Sequence, residues 1–112
     1  MSYKIETSSE FDREAKRLNK RYRSFRDDLQ NFVQDIDENP LQGTELSPGI
    51  RKIRMAITSK GGGKSGGARV ITANAIVAEQ EGRIAFLYIY DKADASNIKM
   101  NVIKKISHTM GY

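Results

Sequence analysis

The stretch Ile50-Arg51-Lys52-Ile53-Arg54-Met55-Ala56-Ile57 decides how the chain is read, because over most of it apolar residues recur at every second position. Ile53, Met55 and Ile57 fall on one side of an extended segment, and Lys52, Arg54 and Ala56 on the other. A strand with one apolar face and one cationic face is expected. Upstream the period is helical. Phe11, Ala15, Leu18 and Tyr22 form one stripe, preceded by capping-box pairs at Thr7 and Glu10 or at Ser9 and Asp12. After a turn at residues 20–23, Ser24 and Asp27 restart the pattern, and Phe25, Leu29, Phe32, Val33 and Ile36 form a second stripe that Asn39-Pro40 ends. The opening Tyr3-Lys4-Ile5-Glu6 alternates, which predicts a strand with Tyr3 and Ile5 facing inward.

Downstream, residues 41–48 read as a polar loop. Residues 59–67, Ser-Lys-Gly-Gly-Gly-Lys-Ser-Gly-Gly, read as a flexible loop unable to pack. Strands are expected over about 68–78 and 84–90, with an acidic turn at 79–82 between them, and short turns make such neighbours antiparallel. The last helix has Ser96 as its expected cap and Ile98, Val102, Ile103 and Ile106 as its stripe. These elements add up to one α+β domain over residues 1–112: an N-terminal strand and helix hairpin, then an antiparallel sheet, then a C-terminal helix. The hairpin is expected to cover one face of the sheet. The other face carries Lys52 and Arg54, and if Arg69 and Tyr90 point the same way on the adjacent strands, a concave basic surface results.

Composition narrows the function. The 112 residues, 38% hydrophobic and 29% charged, suit one compact core. The absence of Cys excludes disulfides, thiolate nucleophiles and Cys-ligated metals. No apolar run approaches the roughly 18 residues of a membrane span, and the N-terminus is charged where a signal peptide is apolar, so a cytoplasmic protein without membrane contact is expected. The net charge is +5, and it is unevenly placed. Residues 1–48 carry 8 basic and 10 acidic side chains, whereas residues 49–112 carry 11 basic and 4 acidic. Between Glu45 and Glu79 there is no acidic residue, while Arg51, Lys52, Arg54, Lys60, Lys64 and Arg69 fall in that window. A polyanion is the expected partner. Gly63-Lys64-Ser65 matches the end of a phosphate-binding loop, but Thr58 stands where its first glycine is required and a strand follows, so nucleotide binding is not expected. No metal-ligand cluster stands out, and no cofactor is expected. The one histidine, His108, reads as a surface residue.

Three blocks carry a resemblance to a known family: Gly49 through Ala56, Ser59 through Ile71 with its glycine-rich centre, and Leu87-Tyr88-Ile89-Tyr90-Asp91-Lys92. In order, spacing and strand placement they resemble the sheet blocks of the RelE/ParE superfamily of type II toxins, in its HigB-like branch, and the likeness runs over about residues 3–106. The resemblance implies a ribosome-dependent mRNA endonuclease that inhibits translation. It also implies a cognate antitoxin, of the helix-turn-helix HigA-like kind, through which alone the toxin meets operator DNA. It places the site on Lys52, Arg54, Arg69, Tyr90 and Lys92. The sequence departs from the best-known RelE branch in one respect: Ala93-Asp94-Ala95-Ser96 stands where an arginine and a tyrosine follow the last strand, and Asp91 occupies a position where glycine is common.

The chemistry can be weighed on its own terms. Cleaving RNA through its 2′-hydroxyl requires removing that proton, stabilising a doubly negative phosphorane and protonating the departing 5′-oxygen. This sheet has no histidine for the proton work. A lysine crowded by other cations holds its proton less firmly, so Lys52 or Tyr90 is the expected base. Arg69 and Arg54 are expected to clamp phosphate and Lys92 to add charge. Arg51, Lys60 and Lys64 are the expected RNA-backbone contacts, although the two loop lysines equally suit keeping a mobile loop soluble. Two other classes stay open: a ParE-like inhibitor of DNA gyrase, and a nucleic-acid-binding module without catalysis.

Overall fold

Phe86 is where the two halves of the chain meet. Its ring, on a central strand, lies 5.5 Å from that of Phe11 and 5.6 Å from that of Phe32, both tilted against it. The contact joins the helix hairpin to the sheet. The structure, a computed structural model, describes residues 3–79, 81–95 and 97–112. In chain order the elements are β1 (Lys4–Thr7), α1 (Ser9–Arg21), α2 (Phe25–Glu38), β2 (Thr44–Ser47), β3 (Ile50–Met55), a 3-10 turn (Thr58–Lys60), a single helical turn α3 (Gly63–Gly66), β4 (Ala68–Ala78), β5 (Glu81–Asp91) and α4 (Met100–Thr109). The sheet order is β1-β5-β4-β3-β2, antiparallel except where β1 runs parallel to β5. This is the expected α+β architecture.

Period-2 alternation sorts the sheet into two faces. Ile53, Met55, Val70 and Ile89 bury their side chains under α1 and α2, against Leu18, Phe25 and Ile36. On the other face Ile71, Ala85 and Leu87 pack with Ile103 and Ile106 of α4. The face opposite the hairpin is therefore covered in part by a helix, and its basic region is confined to the end nearer β2 and β3. Val102, expected in the buried stripe of α4, is 41% exposed, and Ile98 precedes the helix. Ser96, the expected cap, lies outside the described residues.

Local chemistry shifts several expected boundaries. The cap of α1 is Ser8, one residue away from either predicted capping box: its hydroxyl accepts the Phe11 amide at 2.8 Å and donates to the Leu87 carbonyl at 2.6 Å. One side chain thus starts the helix and ties it to β5. The 41–48 segment, read as a loop, contains edge strand β2, because β3 offers it a free row of amides and carbonyls.

The 59–67 segment corrects the expectation of a loop that cannot pack. Asp28 on α2 accepts the Thr58 amide (2.8 Å), the Thr58 hydroxyl (2.6 Å) and the Ser24 hydroxyl (2.7 Å). At the far end Gly67 lies so close to the Met55 carbonyl and the Ile57 amide that a Cβ would collide with both. Between these anchors Lys60 reaches Asp91, a carboxylate with no exposed side-chain surface at the end of β5. Asp91 also accepts from the Tyr22 hydroxyl, from Arg21 Nη1 at 3.0 Å and from the Ala93 amide at 2.9 Å.

Two outcomes follow from this packing. Phe86→Ala should cost about 3–5 kcal/mol in urea denaturation, the range for emptying a buried aromatic site, and a loss under 1 kcal/mol would contradict the two-layer core. The second concerns acid. Burial alone would raise the Asp91 pKa, but the Lys60 ammonium, the Tyr22 hydroxyl and the Ala93 amide outweigh it and hold the group at about 2. Asp28 is lowered too, its burial outweighed by Thr58 and Ser24. A carboxyl whose folded pKa is depressed contributes stability above its unfolded pKa and loses it as pH falls through the folded value, so Asp91 should contribute about 2 kcal/mol at neutrality that drains away from roughly pH 4 to 2. Unfolding free energies measured across that range should fall steeply for the natural chain and less steeply for Asp91→Asn; parallel slopes would refute the assignment.

Candidate nucleic-acid interface

Strand register does the first part of the assembly. Arg54 on β3 is the direct cross-strand partner of Arg69 on β4, and Arg69 is the partner of Tyr90 on β5. Three residues distant in sequence thus form one row across three strands spaced by about 4.8 Å. Lys52, two positions along β3, projects from the same face as Arg54. The expectation that these groups point the same way holds in the geometry.

Lys52, Arg54 and Arg69 border a cleft of about 660 Å³. Lys52, Arg54, Lys64, Arg69 and Lys92 line it, with Gly43 and Thr44 from the segment leading into β2 forming a wall. The five cations come from β3, α3, β4 and the residue after β5. Among the described residues, no carboxylate forms an ion pair with any of them. Crowded like charge without a counterion gives the cleft a strong preference for anions. No carboxylate and no imidazole lines it.

Arg69 is the structural centre. It is only 7% exposed, a costly position for a guanidinium unless its hydrogens are bonded. Nη1 donates to the carbonyls of Ala68 (3.2 Å) and Lys64 (3.4 Å), and Nη2 donates to the Ser65 carbonyl at 3.0 Å. Neutral oxygens therefore hold the group while leaving its charge uncancelled. A guanidinium has five N–H bonds. Three bonds are made here, all from the Nη nitrogens, and among the described residues Nε has no acceptor, so part of the fork remains open to an anion.

Tyr90 is the Arg69 partner on the sheet, yet its ring belongs to the apolar cluster beneath α4 and does not line the cleft. Burial raises the pKa of its phenol, and the positive charge of Arg69 only partly opposes this. The phenol stays protonated at neutral pH. That state suits donating a hydrogen bond.

Two of the expected RNA contacts lie elsewhere. Arg51 alternates to the opposite face of β3, where Nε donates to the Gln42 carbonyl at 2.9 Å and Nη1 approaches Glu45 at 3.8 Å. Lys60 is drawn into its pair with Asp91 and does not line the cleft. Lys64, by contrast, is exposed and lines it. Sequence reading missed the roles of Arg21 and Tyr22, which reach across 69 or 70 positions to Asp91. The signal for them was Asp91 itself, an acid at the end of an apolar strand with basic residues elsewhere to satisfy it.

No helix among the described residues is long and apolar enough to cross a membrane. Comparison with curated proteins gives no match. A family model describing the RelE toxin of the RelE/RelB toxin–antitoxin system matches residues 4–111, nearly the whole chain. With its helix hairpin, its sheet and a cationic cleft at one end, the chain belongs to the RelE toxin family and is the toxin of a toxin–antitoxin pair.

Proposed function

We propose that this toxin is a ribosome-dependent mRNA endonuclease of the HigB-like branch, whose cognate antitoxin is of the HigA-like helix-turn-helix kind. One observation carries the reading: five cations from four segments of the chain converge on one cleft with no carboxylate among the described residues to neutralise them. A nonspecific binding surface needs positive charge spread along a track. A phosphodiester being broken needs it concentrated where two negative charges develop.

The roles follow from position. Arg69, fixed by carbonyls, and Arg54, its cross-strand neighbour, clamp the non-bridging oxygens of the scissile phosphate. Lys52, on the same face, takes the 2′-hydroxyl proton when its amine is in the neutral form, and the departing 5′-oxygen receives a proton from solvent. Lys92 and Lys64 stabilise the phosphorane and the flanking backbone. Tyr90 supports Arg69 from beneath α4, with its hydroxyl as a donor. This acid–base set is weak compared with a pair of histidines. The ribosome compensates by holding the message in line for attack, since positioning alone supplies roughly 7–11 kcal/mol.

Purified toxin added to message-programmed ribosomes should cut the message, and free message far more slowly. Arg69→Ala should lower cleavage by about 10²–10³-fold, as expected for removing a preorganised charge from a transition state. Full activity in that variant would eliminate the central clamp. Failure of the natural chain to cut, combined with loss of supercoiling by DNA gyrase in a parallel assay, would replace the proposal with gyrase inhibition. Steeply salt-dependent RNA binding without product would replace it with a binding module. Lys64→Ala should weaken RNA binding and reduce the slope of log K against log salt by about 0.7, the value for one lost phosphate contact on a single strand.

A further inference from the structure

We propose that Asp91 is a positioning residue for the cleft: through Lys60 it sets the 58–67 loop in the conformation whose carbonyls hold the Arg69 guanidinium. The inference rests on the cleavage reading for its activity test and on geometry alone for its structural test.

The chain of contacts is short. The Lys60 ammonium spans Asp91 Oδ1 and the Gly67 carbonyl, the latter at 3.3 Å. The same carbonyl accepts the Lys92 amide at 3.1 Å. Gly67 is wedged against Met55 and Ile57 and cannot shift to compensate. The residues between Lys60 and Gly67 include Lys64 and Ser65, whose carbonyls receive Arg69. One carboxylate thus fixes the loop that carries Lys64 and grips Arg69, while the main chain around it fixes Lys92.

Backbone bonds at Asp91 act on the same side. Its carbonyl accepts the amides of Asp94 (3.0 Å) and Ala95 (3.3 Å), and its side chain accepts that of Ala93. They fold the turn from which Lys92 projects. Asp91 also neutralises Arg21 and Lys60, which separates these two cations from the five facing the cleft. Four donors converge on the two oxygens. An ionised carboxylate has about four acceptor sites, whereas an asparagine amide has two and adds donors of its own. A purely stabilising role would need none of this coupling to the loop.

The test compares Asp91→Asn, Lys60→Met, Lys60→Arg and the Asp91→Asn/Lys60→Met double variant. All are assayed on saturating message-programmed ribosomes, with urea unfolding run beside to identify conditions where each is folded. Asp91→Asn and Lys60→Met should each lower kcat by about 10–100-fold, the scale for a 1 Å misplacement of catalytic groups, with KM changed less than about threefold. The double variant should be no worse than the poorer single one, because both break the same link. Lys60→Arg should recover most of kcat. Amide exchange at Lys92 and exchange of the Arg69 Nη hydrogens should quicken by about tenfold or more in both single variants, since the bonds to the Gly67, Lys64 and Ser65 carbonyls that protect them loosen. Natural kcat and natural exchange in Asp91→Asn would overturn the proposal, as would additive losses in the double variant. If Asp91→Asn does not fold, Lys60→Met carries the comparison. If the natural chain does not cut RNA, the cleavage reading fails while the exchange measurements still decide the placement of Arg69.

Discussion

Two arginines held directly opposite each other on neighbouring strands repel, and the cleft exists because something stronger keeps Arg54 beside Arg69. That constraint is register. The strands that present these cations on one face bury Ile53, Met55, Val70 and Ile89 on the other. A slip by one residue would turn those side chains into water and the cations into the core. Burial of each such side chain is worth about 1.5–3 kcal/mol, against roughly 0.2–1 kcal/mol for an unfavourable cross-strand pair. Hydrophobic packing against α1 and α2 therefore decides where the charges stand.

The same logic explains why acids stay away from the cleft. A carboxylate beside Arg69 would cancel the positive charge that makes the cleft attract anions. The chain instead holds this guanidinium with carbonyl dipoles, which satisfy hydrogen bonds without adding charge. The buried acids are placed behind the cleft. Asp28 anchors the entry to the 58–67 loop and Asp91 anchors its middle. Removing one partner from a buried ionised group is costly, although replacing the whole network by apolar groups can leave net stability unchanged. The use of these two acids here is specificity: a glycine-rich segment with no apolar side chains could otherwise take many conformations, and two fully bonded carboxylates select one.

Much of this was legible from alternation alone. The period change at Ile50, the two helical stripes and the extent of β4 all come from residues whose burial is periodic, and the convergence of Lys52, Arg54 and Arg69 follows once those strands are neighbours. What was illegible depends on partners distant in sequence. Edge strand β2 has no pattern of its own and exists because β3 pairs with it. Lys60 read as an RNA contact or a solvated loop cation because nothing within several residues could bind it; its partner is 31 positions away. Arg51 and Lys52 are adjacent and equally basic, yet alternation sends them to opposite faces, which a count of charges in the window conceals.

Tyr90 shows how the fold shapes the chemistry open to this site. It shares the row with both arginines, but its ring is buried in the second apolar cluster, and a phenol removed from water resists becoming an anion. What lines the cleft is charge, with no carboxylate and no imidazole among the described residues. A surface of that kind attracts an anion strongly but has little acid–base capacity of its own, so any cleavage it performs would rely on the substrate being positioned from outside.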